Sequence, residues 1–245
     1  MDLQENIIKL TEVDSTNQYA NELLSTGNVA EGAVIWSEYQ HSGRGQQNTS
    51  WVSDAGMNLT FSIIFFPGFL KLEEQFFLSK VVSLGIIDYL DNLDKGYKIK
   101  WPNDIMHGKD KLAGILIECG IEGDKIKHAI MGIGLNVNQM EFDKSIPNPI
   151  SLREIHDKEF CIDTLLKSIL RAINKRYKNL INGDFEGISR DYLSHLLGYR
   201  ETINFKKRGL PFTAKISGVR STGEIILNEN NQEHLYGFKE IDFIL

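Results

Sequence analysis

The sequence predicts an α+β protein: a mixed domain of strands and helices over residues 1–198, followed by a small β-barrel over residues 199–245. Short apolar runs bounded by turn residues, such as 33–39 and 57–66, alternate with segments of helical periodicity, such as 72–93 and 163–182. From Thr202 the texture changes to short strand candidates separated by turns, reading TINFK, PFTAKISG, EIILN, EHLYGF and EIDFI. A chain of 245 residues is long enough to bury one large core and carry such a module.

Each element has a local reason. Residues 7–13 form a strand, and Ser15 with Gln18 fits a capping box that opens a helix through about Leu24. The strand over 33–39 leads into Gln40-His41-Ser42-Gly43-Arg44-Gly45-Gln46-Gln47-Asn48-Thr49-Ser50-Trp51, a loop with neither regular period. Residues 57–66 make a core strand. Residues 72–93 place Phe76, Phe77, Val81, Val82, Leu84, Ile87 and Leu90 at the spacing of a long, mostly buried helix. Asp94-Lys95-Gly96 turns the chain into a strand over 97–101. A hairpin follows over 100–118, KWPNDIMHGKDKLAGILIE, with Lys111 in its turn, and another strand runs over 126–135. Ser151 with Glu154 caps a short helix. Residues 163–182 form an amphipathic helix stopped at Gly183, and a last helix spans about 185–197.

Composition narrows the function classes. A net charge of −6 gives no electrostatic reason to bind phosphate backbones or anionic membranes, so neither DNA nor a membrane is expected as a partner. The N-terminal MDLQENIIKL lacks the basic and apolar regions of a signal peptide. The longest apolar stretch, 59–66, is broken by Thr60 and Ser62 and ends at Pro67, far short of the ~20 residues that span a bilayer. Cys119 and Cys161 form neither a disulfide framework nor a CxxC pair, which suits a reducing, cytoplasmic location with each thiol buried and inert.

The motifs point to chemistry on an anion. Gly43 and Gly45 around Arg44 let backbone N–H groups approach phosphate oxygens beside a permanent charge. Lys111 and Arg44 are candidates to neutralise a phosphoryl group, Trp51 to cover a base, and Asn103 with Asp104 to place polar groups or a magnesium ion. Gly132-Ile133-Gly134 lacks the third glycine and following helix of a dinucleotide fingerprint, and no GxxxxGK[ST], GxSxG or HExxH occurs.

In combination these segments resemble one family. DSTNQYA at 14–20, EYQHSGRGQ at 38–46, KWPNDI at 100–105, KLAGILIE at 111–118 and GIGLNVN at 132–138 stand in the order and approximate spacing of the biotin protein ligases. The resemblance implies a mixed sheet flanked by helices, followed by an SH3-like barrel. It implies an enzyme that converts biotin and MgATP to biotinyl-5′-AMP and pyrophosphate, then transfers biotin to a lysine of a biotin carboxyl carrier domain. Carried over by motif, Ser15, Thr16, Asn17, Gln40, Gly43, Arg44, Lys111 and Gly114 are biotin-site residues. Trp51, Asn103, Lys111 and Asn136 are nucleotide-side residues; Lys111, Arg44 and Asp104 are catalytic, and Asp104 is the metal candidate. The resemblance also makes a homodimer through sheet edges an open option.

Two departures stand out. The family loop commonly runs GRGRxGRxW, but here Gln46, Gln47 and Thr49 bring no charge and Asn48 replaces a glycine, so a second adenylate-holding cation is missing unless Lys109, Lys206, Lys207 or Lys239 substitutes. The catalytic motifs also begin close to Met1, without the operator-binding helix-turn-helix that some members carry. The alternatives are a lipoate or octanoate ligase or transferase, and a biotin-sensing module without turnover.

Overall fold

The protein, seen in a computed structural model that describes residues 3–46 and 49–244, is built on a seven-stranded mixed sheet. The readings placed on Gln47 and Asn48 lie outside the described residues. The strands are β1 (Ile7–Val13), β2 (Val34–Gln40), β3 (Leu59–Phe65), β4 (Tyr97–Lys100), β5 (Asp104–His107), β6 (Asp110–Glu122) and β7 (Lys125–Leu135). Their spatial order is β1-β2-β3-β7-β6-β5-β4. β1 and β2 run parallel across the crossover helix α1 (Thr16–Thr26), and the other neighbours are antiparallel.

Strand alternation sorts side chains onto two faces. On one face Leu59, Phe61, Ile63 and Phe65 of β3 join the main core. There they meet α2 (Phe76–Leu90), α4 (Ile162–Ile181) and α5 (Phe185–His195). α2 is apolar around nearly its whole circumference because sheet and helices enclose it. Gly85 permits its close crossing with α4: a Cβ there would stand 2.7 Å from the Cα of Ile173. On the other face Ala20 of α1 packs with Ile35, Ile64 and Ile130 in a small second core. α1 leaves the remainder of that face, across β3, β7 and β6, open to a cavity.

A second sheet of β8 (Thr202–Lys207), β9 (Leu210–Val219), β10 (Ile225–Glu229), β11 (Gln232–Tyr236) and β12 (Asp242–Ile244) is antiparallel, in the order β11-β10-β9-β8-β12. The expected mixed sheet with helices and a separate C-terminal β unit is therefore present, although β11 and β12 do not pair to close a barrel among the described residues. Phe205, Ile216, Ile225, Leu227 and Tyr236 share the main apolar core with the first sheet. Trp101 ties the two together, its Nε1 donating to the Gly223 carbonyl at 2.8 Å and its ring packing 5.5 Å from Phe238.

Several local expectations change. Ser15 has the extended backbone of an N-cap, but its hydroxyl makes no capping bond and the Gln18 amide bonds Glu22 instead, so the capping box does not form. The box at Ser151 and Glu154 does form, at the start of α3 (Leu152–His156). α2 begins at Phe76 after a 3-10 turn at Leu72–Glu74. Lys111 is not in the hairpin turn: it is the second residue of β6, paired with Met106 where the register slips by a bulge. Cys161 is exposed rather than buried, at the N-cap of α4. Cys119 is partly buried, and burial pushes its thiol up to about 11.

Lys80 of α2 is only 2% exposed; its ammonium donates to Ser189 Oγ at 3.0 Å and lies 4.4 Å from the Phe77 ring centre. Burial pulls its pKa down to about 8. A lysine depressed in the fold destabilises it fully below that value, and the penalty fades as pH rises towards the unfolded pKa of ~10.4. Lys80→Met is therefore expected to stabilise the protein at neutral pH by about 1–3 kcal/mol. The gain, read as Tm, should shrink between about pH 8 and 10.

Candidate functional site

Sheet register assembles the site. Asp104, Gly114, Gly134 and Thr60 lie in one cross-strand row, Leu116, Gly132 and Ser62 in the next, and Glu118, Ile130 and Ile64 in a third. Two of these rows have glycine at their centre, on β7, and the missing side chains leave room above the sheet. The cavity there has a volume of about 250 Å³. It is lined by Ser15, Thr16 and Asn17 from the start of α1, Gln40 from the end of β2, and Arg44, Gln46 and Trp51 from the following loop. Asn103, Asp104, Lys111 and Gly114 close it from the β5–β6 hairpin, and Lys239 reaches it from the C-terminal unit.

One polar chain runs through it. Gln40 Oε1 accepts the Thr16 backbone N–H at 2.8 Å and the Thr16 hydroxyl at 3.1 Å. Ser62 Oγ stands 2.7 Å from Thr16 Oγ1 and 2.6 Å from Asn17 Oδ1, and its single proton serves one of them. Asn17 Nδ2 donates to Glu118 Oε2 at 2.7 Å, while Glu118 Oε1 accepts from Arg44 Nη2 at 3.0 Å. Ser15, Thr16 and Asn17 are buried, so their polar groups are held for internal partners or a ligand.

The Gly-rich loop folds back on itself. Gly45 donates to the Thr49 carbonyl at 2.7 Å, Trp51 donates to the Gly43 carbonyl at 2.9 Å, and Arg44 bridges Ser50. Gly43 does not line the cavity; a Cβ on it would stand 2.3 Å from the Trp51 carbonyl oxygen, so glycine is what lets the loop close. The Trp51 indole rests on Gly134 and reaches towards Gly114, and its Nε1 is buried without a partner among the described residues.

On the opposite wall Lys111 Nζ meets Asp104 Oδ1 at 2.7 Å. Asn103 is fastened in both directions to β6, donating to the Ile115 carbonyl and accepting the Ile115 N–H through its own carbonyl. Asn136 lies outside this cavity. It lines an adjoining space of about 430 Å³ with Trp51, Lys111, Pro147 and Pro149, and its amide donates to the Ile150 and Lys111 carbonyls, so its first task is to fix that wall.

Four participants are not among the site residues to which the sequence points. Ser62 was legible only as a polar break in a buried strand, and Glu118 only as the end of an apolar run. Leu116 and Gly132 follow from register alone. Of Lys109, Lys206, Lys207 and Lys239, it is Lys239 that lines the cavity.

The sequence profile of the biotin/lipoate A/B protein ligase family matches residues 10–136, more than half of the chain and every cavity residue except Lys239. The chain belongs to this family. Biotin/lipoate-family relatives agree with it over longer spans. A biotin protein ligase from Aquifex aeolicus, solved in complex with biotin and ATP, superposes with a TM-score of 0.80 at 28% identity, covering 97% of this chain and 98% of that one. The bifunctional ligase/repressor BirA of Bacillus subtilis is 28% identical over 225 residues, 89% of this chain and 68% of its own length. The biotin–[acetyl-CoA-carboxylase] ligase of Paracoccus denitrificans is 34% identical over 134 residues, 52% of this chain and 53% of its own. Among the described residues no helix is long and apolar enough to cross a membrane.

Proposed function

We infer that this protein is an ATP-dependent biotin protein ligase. The observation that carries this is one cavity, lined but for Lys239 by the family-matched segment, joining buried hydroxyl and amide groups to Arg44 and Lys111. Neutral hydrogen-bonding groups suit the ureido ring of biotin, and the cations suit its carboxylate and a nucleotide phosphate.

In the first step a biotin carboxylate oxygen bonds the α-phosphorus of ATP. The bond from that phosphorus to the bridging oxygen breaks, and pyrophosphate leaves with the electron pair. Two like-charged groups must meet, so Arg44 and Lys111 lower the barrier by neutralising them. Asp104, 2.7 Å from Lys111, holds that ammonium in place. In the second step a carrier-domain lysine, as the free amine, attacks the acyl carbon, and AMP leaves. The Gly43–Trp51 loop shields the mixed anhydride from water until the amine arrives.

Magnesium enters with the nucleotide as MgATP. Among the described residues no group of three or more His, Cys, Asp or Glu side chains could cage a metal. An ion held chiefly by phosphates needs only one or two carboxylates, and Asp104 is the cavity's candidate. We assign the catalytic domain to 1–198 and the β unit to 199–245; the bridges of Leu196 to Ile99 in β4 and of Tyr199 to Ile216 in β9 support that division. Two free thiols suit the reducing cytoplasm.

The test is to supply biotin or lipoate with MgATP and follow pyrophosphate release, then transfer to a biotin carboxyl carrier domain and its acceptor Lys→Arg variant. Biotin-dependent release with labelling of the acceptor lysine is expected; release with lipoate alone would sink the assignment. Glu118→Gln keeps shape but removes the charge that orients Arg44 and Asn17. The Arg44 pair is half exposed, which limits its own worth. Loss of the linked Asn17 bond brings the expected weakening of biotin affinity to about tenfold, measured by calorimetry without ATP.

A further inference from the structure

We propose that Lys239, from the C-terminal unit, is a polyphosphate-binding residue of the active site, neutralising the β- and γ-phosphates that depart as pyrophosphate. The proposal rests on the ligase assignment and adds to it a residue outside the family-matched segment.

Charge balance makes the first argument. Three cationic side chains line the cavity: Arg44, Lys111 and Lys239. Arg44 is paired with Glu118 at 3.0 Å and Lys111 with Asp104 at 2.7 Å, so both bring a carboxylate with them. Lys239 makes no ion pair among the described residues, and it is the cavity's uncompensated positive charge. A triphosphate carries several negative charges into this space, more than two already-paired cations balance. Gln46, which lines the same cavity from the loop, adds none.

Backbone conformation makes the second. Glu240 N donates to the Gly237 carbonyl at 3.2 Å, closing a four-residue turn, and the Glu240 carboxylate accepts the Gly237 N–H at 2.9 Å. Lys239 occupies the third position with φ +61°, the left-handed region that turns normally give to glycine or asparagine. A lysine there is conformationally disfavoured, and an ε-ammonium delivered to the cavity is the compensating gain.

The turn that carries Lys239 is also anchored. Phe238, one residue earlier, packs 5.5 Å from Trp101 and 6.1 Å from Phe76, and Trp101 is bonded to Gly223 of the same unit. Trp101 opens the turn that leads through Asn103 to Asp104, the first residue of β5. The strand pair holding Lys111 and the turn holding Lys239 are thus joined by the packing of partly exposed Phe238 on buried Trp101, and the lysine does not depend on a flexible tether.

The test compares Lys239→Gly, Lys239→Met and Lys239→Arg with the full-length wild type. Glycine suits the turn better, so its Tm should equal or exceed that of wild type. Its KM for ATP in biotin-dependent pyrophosphate release should nevertheless rise about tenfold, while biotin affinity measured without ATP stays unchanged. Methionine keeps the stem and the backbone constraint and should show the same ATP defect, whereas arginine should retain near-wild-type KM. Unchanged KM for ATP in both the glycine and methionine variants would overturn the proposal while leaving the ligase assignment standing. Absence of biotin-dependent pyrophosphate release by wild type would overturn both.

Discussion

Lys111→Met is expected to slow biotin-dependent pyrophosphate release by about 10²–10³-fold, the range seen when one preorganised charge-stabilising group is removed. The size follows from how firmly that ammonium is placed. Its backbone is fixed on both sides, the Lys111 N–H donating to the Asn148 carbonyl at 2.7 Å and its carbonyl accepting from Ile150 at 3.1 Å. Its side chain is one-third exposed and aimed at Asp104 in the cavity wall. A bulge between Ile105 and Met106 sets this direction, so the neighbours Asp110 and Leu112 cannot substitute. Lys111→Arg should recover only part of the rate, because a planar fork does not occupy the position of a compact ammonium. Asp104→Asn keeps an acceptor for Lys111 and should cost less than either. Single-turnover measurement separates chemistry from product release. A Lys111→Met rate within threefold of wild type would remove this lysine from the adenylation step.

What the sequence shows about this site, and what it hides, divides along one physical line. Residues whose role depends on local chain geometry were legible. Helical spacing exposed the core face of α4, Ser151 and Glu154 gave their cap, and the segments around Thr16, Arg44 and Lys111 carried recognisable spacing. Residues whose role depends on register were not. Ser62 meets Asn17 across 45 positions and Glu118 meets Asn17 across 101, distances over which no period or motif operates. HGKDK reads as a turn that includes Lys111, but the turn is only Gly108-Lys109, and the His107–Asp110 pair already puts Lys111 in the strand. Ser15 and Gln18 match a capping box in spacing, yet Gln18 finds Glu22 along the helix. The terminal β unit was legible as a run of short strand candidates, but strand candidates in sequence do not specify the order β11-β10-β9-β8-β12 in which their edges meet.

Gly132 and Gly134 give the second large prediction, because Gly-Ile-Gly shows no purpose until the groups above it are known. At Gly134 an added Cβ would lie 2.3 Å from Trp51 Cε2 and 2.5 Å from Cδ2; at Gly132 it would lie 2.3 Å from Asn17 Oδ1. Neither glycine has a positive φ, so alanine is acceptable to the backbone and the clash alone is tested. The Trp51 main chain is held by its bond to Gly43, which leaves the indole only an outward swing. If the indole is the platform for adenine, Gly134→Ala should weaken ATP binding by the worth of one stacked base, roughly 1–3 kcal/mol or about 5–150-fold. Biotin affinity should change much less. Gly132→Ala should do the reverse: displacing Asn17 breaks its links to Ser62 and Glu118, so biotin affinity falls and KM for ATP is nearly kept. A double-mutant cycle decides whether Trp51 mediates the first effect. In a Trp51→Ala background, Gly134→Ala should add little further loss, whereas full additivity would mean that the glycine acts through the strand and not through the ring.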